Sequence, residues 1–136
     1  MQQNDFTVCG LAHIGVFISD VKASCAFYQK LGFEIAAQYH RPNGVILTFV
    51  KAGSCILELI RPIDPTLIGR PAGVVDHICL SVQNIEACTA ALRESGVLPD
   101  DAQIGTLPDV LGGAKNVFFR GPDGERLELF ECPETL

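Results

Sequence analysis

The chain contains an internal repeat that fixes most of what it can fold into. The triplet Leu57-Glu58-Leu59 recurs 70 residues later as Leu127-Glu128-Leu129, and Ala12-His13-Ile14 aligns with Asp76-His77-Ile78, 64 residues further on. The alignment at a separation of 64 residues continues without a gap as far as Gly32 and Gly96. Because an internal repeat decides architecture before any local pattern does, we expect two diverged copies of one module to make up nearly the whole chain.

Module one, about 9–61, predicts the element order β-α-β-β-β. A strand begins at His13 and alternates between two faces, Asp20 can cap a helix over 21–31, and Gly32 can end that helix. The three later strand candidates are 33–39, 45–51 and 55–60. The apolar stripe of the helix is expected to pack on the β-branched face of the first strand.

Module two, about 76–132, repeats this plan after a connector at 62–75 that is rich in proline and glycine. Its last two strands lie within 116–131 and are joined by a Pro-Asp-Gly turn, which is typical of a hairpin. The segment 99–113 alternates poorly and is rich in turn residues, so its strand is the weakest prediction and the loop is a candidate for a mobile or ligand-facing segment. The predicted fold class is α+β, with two tandem βαβββ modules.

Composition and charge narrow the class of protein. A chain of 136 residues with 48% hydrophobic residues can form a single domain, 1–136, or two modules that share a core. A net charge of −6 without a basic run argues against nucleic acid or an anionic membrane as the main partner. No apolar run approaches the ~18 residues of a membrane span, and the N-terminus lacks the pattern of a secretion signal. These patterns predict a cytoplasmic protein.

The cysteines predict neither a disulfide framework nor a nucleophile. They show no CxxC spacing, and no cysteine occupies equivalent positions in the two modules. Without a secretion signal, we expect reduced and mostly buried side chains. The six residues are Cys9, Cys25, Cys55, Cys79, Cys88 and Cys132.

Each module carries a histidine in its first strand and a glutamate in its last. Taken alone, a strand histidine is more often hydrogen-bonded and a glutamate solvated, and the segment around Glu128 by itself favours a solvated sheet face. Because His13, Glu58, His77 and Glu128 stand at equivalent places in two copies, a shared metal becomes the better explanation. By strand parity, all four point into the same concavity if the sheet curls with its helices outside. His40 has no counterpart, and we expect it to be exposed.

These residues and their surroundings resemble the vicinal oxygen chelate superfamily, which includes glyoxalase I (lactoylglutathione lyase), methylmalonyl-CoA epimerase, fosfomycin-resistance proteins, extradiol dioxygenases and bleomycin-resistance proteins. The stretches that carry the resemblance are HIGVFISDVKASCAFYQKLGF, the ELI that follows it, DHICLSVQNIEA and FFRGPDGERLELFE. The resemblance implies a cup-shaped, eight-stranded mixed sheet, a homodimer, and a divalent ion (Ni, Co, Mn, Fe or Zn) in the cup. Its ligand positions fall on His13, Glu58, His77 and Glu128.

The resemblance further implies a metal-dependent lyase or isomerase of the glyoxalase I type, acting on a small-molecule thiol adduct. A substrate oxygen would bind the ion, and a carboxylate would move the adjacent proton. Glu128 is the candidate base, and Glu58 is the second proton carrier or a plain ligand. The alternatives are a methylmalonyl-CoA epimerase-like enzyme acting on an acyl thioester and a non-catalytic protein that binds or sequesters a small molecule.

One position departs from the glyoxalase I pattern. Those enzymes resemble each other in an arginine four residues after the first histidine, where this chain has Phe17. Recognition of the carboxylate of glutathione then needs a cation from elsewhere. The candidate cations are Arg61, Arg70, Lys115, Arg120 and Arg126. By parity, Arg120 and Arg126 lean toward the cup, and together with Phe17 they are the residues predicted to bind substrate.

Overall fold

The computed structural model describes residues 11–71, 73 and 75–134. Cys9 and the first residues of predicted module one lie outside the described residues, as do positions 72 and 74 of the predicted connector. Within the described part, neither ten-residue helix has the length needed to cross a membrane.

The predicted βαβββ order is confirmed in both modules. Module one consists of β1 (Ile14–Phe17), α1 (Val21–Lys30), β2 (Glu34–His40), β3 (Ile46–Ala52) and β4 (Cys55–Arg61). Module two consists of β5 (Ile78–Ser81), α2 (Ile85–Glu94), β6 (Gly105–Leu107), β7 (Ala114–Arg120) and β8 (Arg126–Glu131). The weakly predicted second strand of module two is the three-residue β6, and the connector holds a short 3-10 helix at Pro65–Leu67.

The two helices begin and end at equivalent residues. The side chains of Asp20 and Asn84 each accept a hydrogen bond from the backbone N–H three residues later, which satisfies a donor that the first helical turn leaves free. Gly32 and Gly96 follow the helices with φ values of +95° and +79°. Only glycine adopts this left-handed backbone easily, so each helix ends where the sequence predicts.

The eight strands form two sheets of four. Their orders are β1-β4-β3-β2 and β5-β8-β7-β6, and the first strand of each module pairs in parallel with the last. Within the described residues no ladder of hydrogen bonds joins the two sheets. A cavity lies between β1 and the beginning of β5. The cup therefore consists of two four-stranded sheets on either side of this cavity, and not of one continuous eight-stranded sheet.

A single hydrophobic core runs through both modules. Leu57 and Leu59 of β4 are 0% exposed, and their counterparts Leu127 and Leu129 of β8 are 0% and 2% exposed. Ile18, directly after β1, is also fully buried in this cluster. Since side chains alternate along a strand, burial of these leucines places Glu58 and Glu128 on the opposite, cup-facing side.

Hydrogen bonds join the modules within one chain. The Tyr28 hydroxyl on α1 donates to Glu125 Oε2 over 2.8 Å, and the Ser19 backbone N–H donates to Asp123 Oδ2 over 3.0 Å. Glu125 can fold back in this way because Gly121 has no Cβ, which would collide with the carboxylate. Burial and the neighbouring Glu125 raise the pKa of Tyr28 well above its usual value, so the hydroxyl remains a donor.

Replacing Tyr28 by Phe is expected to lower the free energy of unfolding by about 1.5–3 kcal/mol, because the change removes a hydrogen bond to a charged group. Urea titration followed by circular dichroism measures the effect. Tyr39→Phe is the matched control, since Tyr39 is 55% exposed. Equal midpoints for the two variants would show that the Tyr28 hydroxyl contributes nothing to the junction.

The prediction for the cysteines is partly wrong. The five described cysteines are free, as expected, but Cys25 is the one that is buried, while Cys55, Cys88 and Cys132 are partly exposed and Cys79 is exposed. Cys79 faces the cup because it follows His77 by two residues on a strand. His40 is exposed, as predicted, and its Nε2 lies 3.3 Å from Gln38 Oε1.

Candidate metal and active site

The first predicted pair is His13 and Glu58. His13 directly precedes β1, and Glu58 lies on β4, paired in parallel register with Gly15. His13 Nε2 is 3.7 Å from Glu58 Oε1. A Cβ atom on Gly15 would stand 3.7 Å from the same oxygen and 3.3 Å from the side chain of Ile60. Glycine at this position therefore avoids a tight contact with Ile60, and the Glu58 carboxylate lies at an ordinary contact distance.

The second predicted pair is His77 and Glu128, in an equivalent register. His77 Nε2 lies 3.0 Å from Glu128 Oε1, and Asn116 Nδ2 donates to Glu128 Oε2 over 2.8 Å. The Glu128 side chain is only 8% exposed, against 17% for Glu58. The solvated position that its own segment suggests is therefore wrong, because both carboxylate oxygens have partners inside the protein.

His77 has a further polar partner that the sequence analysis missed. Its Nδ1 lies 2.7 Å from Asp76 Oδ2, and the Arg126 guanidinium contacts the same oxygen. The hydrogen bond from His77 and the charge of Arg126 lower the pKa of Asp76 below its ordinary value. The sequence contained a sign of this partner, because Asp76 precedes His77 whereas Ala12 precedes His13 at the equivalent place in module one.

Two phenylalanines complete the resemblance between the modules. His13 packs edge-on against Phe49 and His77 against Phe118, in both cases with ring centroids 5.4 Å apart. Each phenylalanine is the cross-strand partner of the glutamate of its module. Sequence analysis missed both, although they occupy matched positions in the strand before the glutamate. An edge-on ring restricts the orientation of the imidazole without competing for its nitrogens.

A cavity between the two modules reaches the second pair at His77. Its volume is about 700 Å³, and both Gly15 of β1, which lies beneath the Glu58 carboxylate, and His77 line it. All three residues predicted to bind substrate, Phe17, Arg120 and Arg126, also line this cavity. The cavity thus brings together His77 and the three predicted substrate-binding side chains, which come from distant segments of the chain.

Arg120 and Arg126, which strand parity suggests for substrate binding, both have partners within the protein. Arg126 lies 4.0 Å above the ring of Phe118 and is engaged with Asp76, and Arg120 donates to a backbone carbonyl in the following turn. Arg70, from the connector, lines the same cavity with its guanidinium carbon 5.1 Å above the ring of Phe17. A cation therefore reaches the side of the cavity where glyoxalase I proteins have their arginine, but from another segment of the chain.

Cys79 is not poised to act as a nucleophile. It pairs with Glu128 in the β5–β8 register and faces the cup. Partial desolvation and the adjacent Glu128 carboxylate raise the pKa of Cys79 to about 12. Because the thiolate is the reactive form of cysteine, this side chain remains an unreactive thiol near neutral pH.

The donor chemistry of the four predicted ligands fits a divalent transition ion. Two imidazoles and two carboxylates without a thiolate suit Ni²⁺, Co²⁺, Mn²⁺, Fe²⁺ or Zn²⁺. In the described part of the chain these donors lie as two separate pairs, and no three His, Cys, Asp or Glu residues are grouped closely enough to hold an ion. Each pair nevertheless places an imidazole nitrogen beside a carboxylate oxygen, as two halves of one site would.

Residues 10–129 match the family described as the glyoxalase/bleomycin resistance protein/dioxygenase superfamily. The match covers most of the chain, and the two βαβββ modules agree with it. The chain belongs to this superfamily.

The chain is similar to several proteins with known or unknown activities. Mitochondrial methylmalonyl-CoA epimerase of Bos taurus is 32% identical over 105 residues, which cover 70% of this chain and 60% of that protein. An uncharacterised protein of Bacillus subtilis, YwbC, is 33% identical over 124 residues, covering 88% and 94% of the two chains. The structure of a glyoxalase family protein from Enterococcus faecalis superposes with a TM-score of 0.69 at 32% identity, covering 90% of this chain and 98% of the other.

Proposed function

We propose that the protein is a metal-dependent isomerase that moves a proton on the carbon next to a thioester carbonyl, as an acyl-CoA epimerase does. The observation that carries this proposal is the matched His/Glu pairs, one in each module, with His77 of the second pair lining a cavity between the modules. The similarity to a methylmalonyl-CoA epimerase supports the choice of substrate class. The glyoxalase I reaction, which the sequence resemblance favours, becomes the second candidate.

His13, Glu58, His77 and Glu128 would hold the ion. A bound divalent cation would act as a Lewis acid that polarises the thioester carbonyl and acidifies the adjacent C–H. The site has a carboxylate from each module, and inversion at carbon requires a proton to leave one face and another to arrive at the opposite face. We assign Glu128 to removing the proton and Glu58 to returning one, so the composition of the substrate is unchanged.

The remaining lining residues would bind the rest of the substrate. Phe17 offers an apolar wall, and Arg70, stacked on it, offers a guanidinium to an anionic group. Arg120 is a second exposed cation at the same cavity, whereas Arg126 is engaged with Asp76. This arrangement suits an acyl thioester whose acyl group or carrier is negatively charged.

The second candidate function is lactoylglutathione lyase-like chemistry on a hemithioacetal. It uses the same ligands and the same type of proton transfer, and Arg70 could replace the arginine that Phe17 displaces. A protein that only sequesters a small molecule is the third possibility. We also propose a homodimer, because the edge strand β2 exposes Ile35 and Tyr39 at 47% and 55%, an apolar surface that a second copy can cover.

The deciding experiment offers both substrate classes to the metal-loaded protein. In D₂O, we expect deuterium to enter the α-carbon of a 2-methylmalonyl-CoA thioester, detected by NMR, with inversion at that carbon. We expect a slower reaction, or none, with the hemithioacetal of methylglyoxal and glutathione. Preferential turnover of the hemithioacetal would replace the epimerase by the glyoxalase reaction. Binding of either compound without proton exchange would leave the sequestering protein.

A further inference from the structure

The two halves of the candidate metal site differ in the residues that support them. Three positions are polar in module two and apolar at the equivalent places in module one. These matched positions are Asp76 and Ala12, Arg126 and Ile56, and Asn116 and Leu47. The histidines, the phenylalanines beside them and the glutamates are the same in both modules, so these three differences concern the groups that surround the ligands.

In module two these polar groups form a connected network. Arg126 lies flat over Phe118 and contacts Asp76, which in turn lies 2.7 Å from His77 Nδ1. The opposite ring nitrogen of His77 is 3.0 Å from Glu128 Oε1. Both nitrogens of the ring are therefore engaged, and the ring orientation is fixed from two sides.

Module one lacks this support. No carboxylate precedes His13, because Ala12 stands there, and no guanidinium can hold one, because Ile56 occupies the equivalent position. The His13–Glu58 distance is longer, 3.7 Å, and both side chains are more exposed than those of the module-two pair. This half is therefore the less constrained of the two.

We propose that Asp76, held by Arg126, is a positioning residue that makes the His77–Glu128 pair the preformed half of the metal site. When one imidazole nitrogen binds a metal, the other can donate its N–H to a carboxylate. This hydrogen bond keeps the ring in one tautomer and one orientation, and it makes the imidazole a stronger metal ligand than one without such a partner. Module two would then supply the more strongly preorganised ligands, and His13 and Glu58 would complete the ligand set. This inference rests on the metal site of the proposed function.

The test measures metal affinity rather than turnover. Competition with a chelator gives the Co²⁺ dissociation constant of the wild type, Asp76→Ala and the control Asp109→Ala, which removes another exposed carboxylate. Asp76→Ala is expected to weaken binding about 10–100-fold, the usual effect of removing such a partner, and Asp109→Ala to leave it unchanged. The Asp76 side chain is 58% exposed, so both variants should fold, which thermal unfolding of the metal-free proteins checks.

A spectroscopic readout separates positioning from a general loss of charge. In the Co²⁺-loaded wild type, one paramagnetically shifted ring N–H should exchange slowly with solvent, because Asp76 accepts it. Asp76→Ala should lose this protection, and Asp76→Asn should recover part of it together with part of the affinity, since an amide oxygen can still accept the bond. Equal affinity and exchange in the wild type and Asp76→Ala would overturn the inference while leaving the metal site intact. A wild type that binds no Co²⁺ would instead remove the metal site of the proposed function.

Discussion

Glu128→Gln is expected to lower kcat for proton transfer by about 10²–10⁴, the usual effect of losing a general base, while metal remains bound. The amide has the shape of the carboxylate but cannot take a proton from carbon. Its oxygen can still accept the hydrogen bond from Asn116, which reaches Glu128 Oε2 over 2.8 Å, so the local structure should persist. With three predicted ligands unchanged, metal analysis should still detect the ion.

Two further variants serve as a control and a comparison for Glu128→Gln. Glu94→Gln removes an exposed carboxylate from α2 and should leave kcat unchanged. Glu58→Gln tests the opposite module, and its effect shows whether the second carboxylate also carries a proton. If Glu128→Gln turns over at a near-normal rate with full metal occupancy, Glu128 is not the base and Glu58 takes that role. If both glutamates can be replaced without loss, the sequestering function becomes the stronger proposal.

His77→Ala is expected to reduce the metal content of the purified protein from about one ion per chain to a small fraction of it, because the variant removes one of four predicted ligands together with the contact to Asp76. His13→Ala is the matched variant in module one. It should lose less metal, since His13 lies 3.7 Å from its glutamate, compared with 3.0 Å for His77.

Elemental analysis after dialysis against each divalent ion measures both variants. The exposed His40→Ala serves as the control, since it removes an imidazole that lies outside the pairs. The same metal content in the wild type and in His77→Ala would exclude His77 as a ligand. A larger loss in His13→Ala would contradict the proposal that module two supplies the more strongly preorganised ligands.

The repeat accounts for most of what the sequence could predict. Residues that fix local structure, such as Asp20 and Asn84 at the helix starts, act through bonds to their own neighbours, and their equivalence survives in the structure. Strand alternation then decides which side of a sheet each residue faces. For this reason the sequence could place the histidine and the glutamate of each module on the same side of the sheet, opposite the aliphatic face.

Features that depend on contacts between distant segments could not be predicted in this way. The repeat placed Glu128 in the cup but named no protein partner for it, and the structure buries it beside Asn116. The sequence favoured Arg126 for substrate binding, whereas the structure engages Arg126 with Asp76 and brings Arg70 over Phe17 from the connector. These contacts depend on the course of the loops and on how the two sheets pack against each other. Strand alternation determines neither of them.

The sequence by itself thus determined two βαβββ modules, their matched histidines and glutamates, and the side of each sheet on which they lie. These features follow from local capping, period-two alternation and repetition, which are properties of short segments. Only the tertiary structure decided that the two pairs are unequal, that a cavity between the modules reaches His77, and which cations line this cavity. Burial and ion pairing arise between residues far apart in the chain, so they are fixed only when the modules pack together.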